Sequence, residues 1–243
     1  MFRDGLTAQL DHDPKFRWRG QEVTRVENLA DIVFALSLGM LVSSAEVPKS
    51  FDEIQAFLIG IVPVTAGFVA WVSVWQAHFT FFRRYALADR TVVLLNAVLL
   101  LLVLFVAYPL RFVFDSLFAW VVRAFTGDVA LFAELGLANV EPGRSGIIMG
   151  YFATGYALIA TILAILYIHA LTHSNRLELN RDERSLTKRS IAKHMTTTLV
   201  ASLVACLATY TPLSAFAGFV LFTSNAINLL WPVIFRTRGD GAP

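Results

Sequence analysis

Long apolar blocks separated by short polar and charged stretches set the pattern of this chain. A membrane-crossing helix needs roughly 20 mainly apolar residues. Six segments meet that length: Val23–Ala45, Ile54–Phe82, Thr91–Phe114, Ile147–Leu171, Ile191–Tyr210 and Pro212–Phe235. The pattern predicts an all-α integral membrane protein with six transmembrane helices per subunit. The second segment is long enough to tilt or protrude, and Thr209-Tyr210-Thr211-Pro212 makes a tight turn between the last two. Residues 113–146 form the one long connection on the outer side. There Arg111 and Asp115 stand four apart and can pair on a helix that continues past the bilayer. Val129–Val140 reads as a short interfacial helix and Glu141-Pro142-Gly143 as a break. Ser174–Ser190, with charges of both signs, reads as a solvated helical hairpin. With no internal repeat and no second domain evident, the chain divides into a cytoplasmic segment 1–21, one membrane domain 22–236 and a tail 237–243.

Charge orients these helices. Connections from odd to even segments carry few basic residues: Lys49 between the first and second, none between the fifth and sixth. The other side carries Lys15, Arg17, Arg19, Arg25, Arg83, Arg84 and Arg90, then Arg176, Arg181, Arg184, Lys188, Arg189, Lys193, Arg236 and Arg238. The excess of basic residues in cytoplasmic loops places both termini in the cytoplasm, and an even number of spans agrees by putting both termini on one side.

Composition sharpens the class. The 243 residues are 56% hydrophobic and 16% charged, against soluble averages of about 45–50% and about 25%. The first 21 residues are polar and contain no apolar core of a signal peptide. Cys206, the single cysteine, excludes an intrachain disulfide and offers no metal cluster.

A few polar residues break the apolar blocks. Asp31 follows Arg25-Val26-Glu27-Asn28 directly into the first block. A carboxylate inside hydrocarbon costs about 2.5–3.5 kcal/mol on insertion scales, so such a residue points to function. Asp31, His78 and Asn96 each lie about one and a half turns from a basic residue (Arg25, Arg83, Arg90), hence at similar depth on three consecutive helices. Trp71, Trp75, His78 and Phe82 share one face of the second helix, and Asn225, Asn228 and Trp231 form a stripe on the sixth. Asp31, His78 and Asn96 are expected to join in one interhelical hydrogen-bond network. At ~100° per residue, Glu27 and Asp31 share one side of the first helix. Arg25, Leu29, Leu36, Met40 and Ser43 fall roughly opposite, facing a pore, lipid or a packed neighbour.

These residues resemble the transmembrane protein 175 family of lysosomal and prokaryotic potassium channels. Its first-helix signature is Arg, three variable residues, then Phe-Ser-Asp; here Arg25 and Asp31 match its ends, while Leu29 and Ala30 replace the Phe and Ser. Trp75, His78, Phe82-Arg83-Arg84, Asp89, Leu94-Leu95-Asn96 and Pro109 are similar to the family's second and third helices, so the likeness is clearest over residues 22–112. The resemblance implies a six-helix subunit, a homotetramer in prokaryotic members, and a central pore lined by the first helices without a glycine-rich carbonyl filter. It implies an aliphatic constriction at Leu36, with Met40 and Ser43 above it, and a structural network of Arg25, Asp31, His78 and Asn96. The function it implies is a passive channel in a prokaryotic inner membrane for potassium or other monovalent cations, with modest selectivity.

Four other readings stay open. A secondary transporter usually shows repeats and helices broken near the midplane; Gly60, Pro63 and Gly67 are the only suggestive break. An intramembrane enzyme would need a site, yet His78, His169, His173 and His194 match no His-Glu-x-x-His spacing. His169 and His173, four apart, form a metal pair or an interfacial pair, the second reading fitting their polar neighbours Thr172, Ser174 and Asn175. A proton-permeable channel and a non-conducting scaffold complete the set. No catalytic residue, cofactor, metal or nucleic-acid partner is expected.

Overall fold

The computed structural model describes residues 16–43, 49–127, 130, 142–211 and 218–221. Among them the regular structure is helical throughout, with no strand. In chain order the helices are α1 (Arg25–Ser43), α2 (Phe51–Tyr85), α3 (Arg90–Thr126), α4 (Pro142–Thr172) and α5 (Arg181–Tyr210). Residues 218–221, in the sixth apolar segment, are also helical. The rest of that segment, with Asn225, Asn228 and Trp231, lies outside the described residues, as does Val129–Val140 apart from the helical Ala130.

The helix ends sit where side chains satisfy the free backbone amides, so they differ from the ends of the apolar blocks. At α1, Thr24 and Glu27 form a reciprocal cap: the Glu27 amide donates to Thr24 Oγ1 at 3.3 Å, and the Thr24 amide to Glu27 Oε1 at 3.0 Å. Ser50 caps α2 and Asp89 caps α3. Asn180 and Glu183 form a full capping box on α5. That box makes the charged turns after Arg181 helical, ten residues before the apolar block begins. α3 runs to Thr126, beyond Phe114, and carries the expected pair: Arg111 Nε lies 3.3 Å from Asp115 Oδ2. The other Asp115 oxygen is buried without a partner among the described residues. Pro142 opens α4, where its missing amide proton costs no helical bond. Between α4 and α5, residues 173–178 form turns, so only the second arm of the expected 174–190 hairpin is helical.

Four helices among the described residues are long and apolar enough to cross a membrane, namely α2 to α5. α1 is shorter, 19 residues, and begins with the charged Arg25, Glu27 and Asp31. α4 is central: 67% of its apolar window is buried, against 39% or less for the other three. It packs most extensively against α5 and next against α3, while α1 lies on α3 and α2. Gly155 lets α4 and α3 close up, since a Cβ there would overlap the Val106 side chain. Gly60, Pro63 and Gly67 all lie inside α2, which continues unbroken from Phe51 to Tyr85; the break suggested by their composition is not there.

Candidate pore helix and its interhelical contacts

α1 has two sides of different chemistry. Ala30, Phe34, Ser37 and Leu41 are each fully or nearly fully buried, and Glu27 joins them at the N-terminal end. Their spacing of three and four residues is that of one helix face. Leu29, Ile32 and Leu36 on the other side are 54%, 66% and 57% exposed in the single chain. Met40 is partly buried, Arg25 is exposed, and Ser43 closes the helix with its side chain outside the described residues. The opposition between the Glu27 side and the Leu36 side that helical periodicity predicts is therefore present.

The polar residues on the inner side and its margin reach α2. Trp71 Nε1 donates to Ser37 Oγ at 2.7 Å, and Ser37 Oγ donates to Phe34 O at 2.7 Å. Trp75 Nε1 donates to Asp31 Oδ1 at 2.8 Å. Arg83 pairs with Glu27 across 3.3 Å, both side chains nearly buried. α1 is thus fastened to α2 at three successive levels, by Trp71, Trp75 and Arg83.

His78 turns toward α3, where its Nε2 meets Asn96 Oδ1 at 2.7 Å. An amide oxygen only accepts, so Nε2 carries the proton. Both residues are 2% exposed, and the rings of Phe34 and Phe82 flank the imidazole at 5.7 and 4.7 Å. The structure places the three expected network residues as two pairs, Asp31 with Trp75 and His78 with Asn96. Trp75 and His78, three apart on α2, join the pairs through one helix. Arg25 is exposed and adds no contact to them.

Sequence reasoning overlooked two contributors. Ser37 lies seven residues, or two turns, past Ala30 on the buried face; its signal was the phase it shares with Ala30 and Phe34. Glu27 was placed on the correct side, but its partner Arg83 was not foreseen. Ala30 is fully buried, so a methyl packs where the resemblance expects a hydroxyl, and Ser37 makes a hydroxyl bond to α2 two turns later.

At the ends of α3 and α4, His169 Nε2 donates to Asp89 Oδ2 at 2.8 Å. His173 Nδ1 donates to His169 O at 2.9 Å, and the two imidazoles lie 4.4 Å apart. Burial pushes the Asp89 carboxyl upward, but the bonds from His169 and the Val92 and Thr91 amides outweigh it, leaving Asp89 below the usual carboxylate range. Among the described residues no group of three or more His, Cys, Asp or Glu is placed to hold a metal. His169 thus links α4 to the cap of α3, while His173 bonds back to α4.

Several long apolar helices around one buried helix define a multi-pass membrane protein. Residues 25–107 match the family model for the endosomal/lysosomal potassium channel TMEM175. A potassium channel from Marivirga tractuosa is 28% identical over 186 residues, covering 75% of this chain and 73% of its own length. The crystal structure of a single-residue variant of the potassium channel MtTMEM175, in complex with a nanobody–MBP fusion protein, superposes with a TM-score of 0.71. It is 25% identical, and the match covers 93% of this chain and 98% of that one. Over these residues and this fold the chain is similar to the TMEM175 potassium channels, as the residues of its first three helices imply.

Proposed function

We propose that the protein is a passive channel for monovalent cations, potassium above all, formed by several copies around a pore lined by α1. The observation that carries this reading is the division of α1. Its side chains Glu27, Asp31 and Ser37 are engaged by α2 or the helix cap, while Leu29, Ile32 and Leu36 stand exposed further along the helix than the exposed Arg25 and Asn28 of its first turn. An apolar strip on the first helix, with its polar residues turned to neighbours, suits an aliphatic constriction. The likeness to a potassium-channel sequence and to a potassium-channel structure, each over three quarters or more of the chain, supports the same reading and makes an enzyme the wrong class.

In this arrangement Leu36 forms the narrowest ring, with Met40 and Ser43 toward the outer end. Asp31, His78 and Asn96 belong to the frame that holds α1 rather than to the ion path, and Arg25, exposed at the start of α1, stands outside that frame. An aliphatic ring offers no oxygen ligands, so selectivity comes from the cost of shedding water and is modest. Four copies, six helices each across residues 22–236, and cytoplasmic termini in a prokaryotic inner membrane complete the proposal.

Liposomes containing the purified protein test it. A potassium gradient should drive flux that exceeds the matched sodium flux, and Leu36→Asn should change both the rate and the ratio. Vesicles holding folded oligomer that pass neither ion would overturn the channel reading.

A further inference from the structure

The residues just before α1 form a strap across the cytoplasmic side of the helices. Phe16 is 4% exposed, its ring edge-on to Tyr85 at 5.5 Å and covered by the Arg84 guanidinium at 4.7 Å. Trp18 meets the Phe79 ring at 6.0 Å. The Arg19 and Gly20 amides both donate to Arg83 O, at 3.1 and 3.0 Å, and Arg83 Nη1 donates back to Gly20 O at 2.9 Å. Gly20 is needed for this approach, because a Cβ there would stand 2.7 Å from Phe82 O.

The far anchor of the strap is on α5. Glu183 is 1% exposed and accepts from every side. Its Oε1 takes the Arg17 amide and Arg19 Nη1, both at 3.0 Å; its Oε2 takes Arg19 Nη2 at 2.9 Å and the Asn180 amide at 3.0 Å. Arg19 Nε also donates to Leu177 O at 2.8 Å in the turn before α5. Such a two-pronged charge-assisted contact fixes direction as well as distance. α5 packs chiefly on α4, so a buried carboxylate turned to the strap exceeds what capping α5 requires: a Glu or Gln at this third position completes a capping box by itself.

We infer that Glu183 is a positioning residue for the first helix: through Arg19 it holds the segment from Phe16 to Thr24, and so sets the cytoplasmic end of α1 from α5. This rests on the channel reading above. Movement at the α4–α5 turn is then passed to α1 without crossing the membrane interior, and a ligand or partner at that turn acts on the pore through the strap.

Three single variants separate positioning from simple stability. Glu183→Gln keeps a capping residue but loses the charge that holds Arg19; Arg19→Gln loses the other half; Asn180→Ala weakens the cap and leaves the clamp. Trypsin cleavage after Arg17 in the purified protein reports the strap. Cleavage tracks the population of the open segment, so Glu183→Gln and Arg19→Gln should be cut about tenfold faster than wild type or Asn180→Ala. In potassium-loaded liposomes, the two clamp variants should shift flux in the same direction, the double variant no further than either single, and Asn180→Ala not at all. Unchanged cleavage overturns the clamp; faster cleavage with wild-type flux overturns the positioning role; an effect of Asn180→Ala equal to that of Glu183→Gln reduces Glu183 to a cap. A wild type that passes no potassium overturns the channel reading and the positioning role with it, while the cleavage rates still decide the clamp.

Discussion

Among single residues, the bonds that matter most have their two partners on different helices. Ser37→Ala leaves the Trp71 indole N–H buried without an acceptor, and that group then bears a desolvation cost of about 1–3 kcal/mol. Trp71→Phe in the same background should recover part of the loss, since the orphaned donor is gone; a double-mutant cycle on thermal unfolding in detergent reads the coupling. Additive losses would mean that the bond contributes nothing. Arg83→Ala leaves the buried Glu27 carboxylate with only its Thr24 bonds and also removes the bond to Gly20 O, and should cost about 3 kcal/mol. Glu27→Gln, which keeps a cap-compatible side chain, should cost clearly less, and equal losses would contradict the pairing. What the sequence conveyed here was depth and phase. The face holding Trp71, Trp75, His78 and Phe82 was legible because periodicity is local. The choice of Trp75 rather than His78 as the partner of Asp31 was not, because it depends on how two helices rotate against each other.

For whole helices, apolar block length located the four described helices long and apolar enough to cross a membrane and missed their ends. The ends belong to Thr24, Asp89 and Asn180, polar residues whose value lies in capping and which hydropathy counts as outside. The length of α5, 30 residues, is the clearest case, since the capping box extends helix through a charged stretch. Asp89 gives a test with a definite sign. Its carboxyl sits below the usual range, held there by His169 and the α3 amides, so its stabilisation is full above the ordinary aspartate value of about 3.9 and fades as pH falls through the depressed one. Asp89→Ala should therefore unfold at lower temperature than wild type near neutral pH, by an amount corresponding to about 1 kcal/mol. The gap should narrow in acid, and a gap that widens as pH falls would contradict the assignment.

Taken by itself, the single chain leaves an apolar strip of α1 exposed while burying Ser37, Trp71 and Glu27, which brace it. Association of copies through that side is the natural completion, and the purified protein should run at a mass of four copies in detergent. A monomer that retains potassium flux would contradict the assembly. How the copies meet was not legible in the residues alone: a Leu-Ile face in a membrane helix reads equally as lipid-facing or pore-facing. The proposed pore-facing orientation rests on the resemblance of the first three helices.

The proposed channel stands or falls on Leu36 facing the ion path, and thiol modification probes that placement. In a Cys206→Ser background, which removes the exposed native thiol, Leu36→Cys should react with a water-borne cationic thiol reagent and lose potassium flux. Leu199→Cys on α5, at a position 68% exposed in the native chain, serves as the comparison and should keep its flux under the same treatment. Block in the Leu36→Cys protein alone is the predicted result. A thiol at that position that reacts fully while flux continues would contradict the pore-lining role.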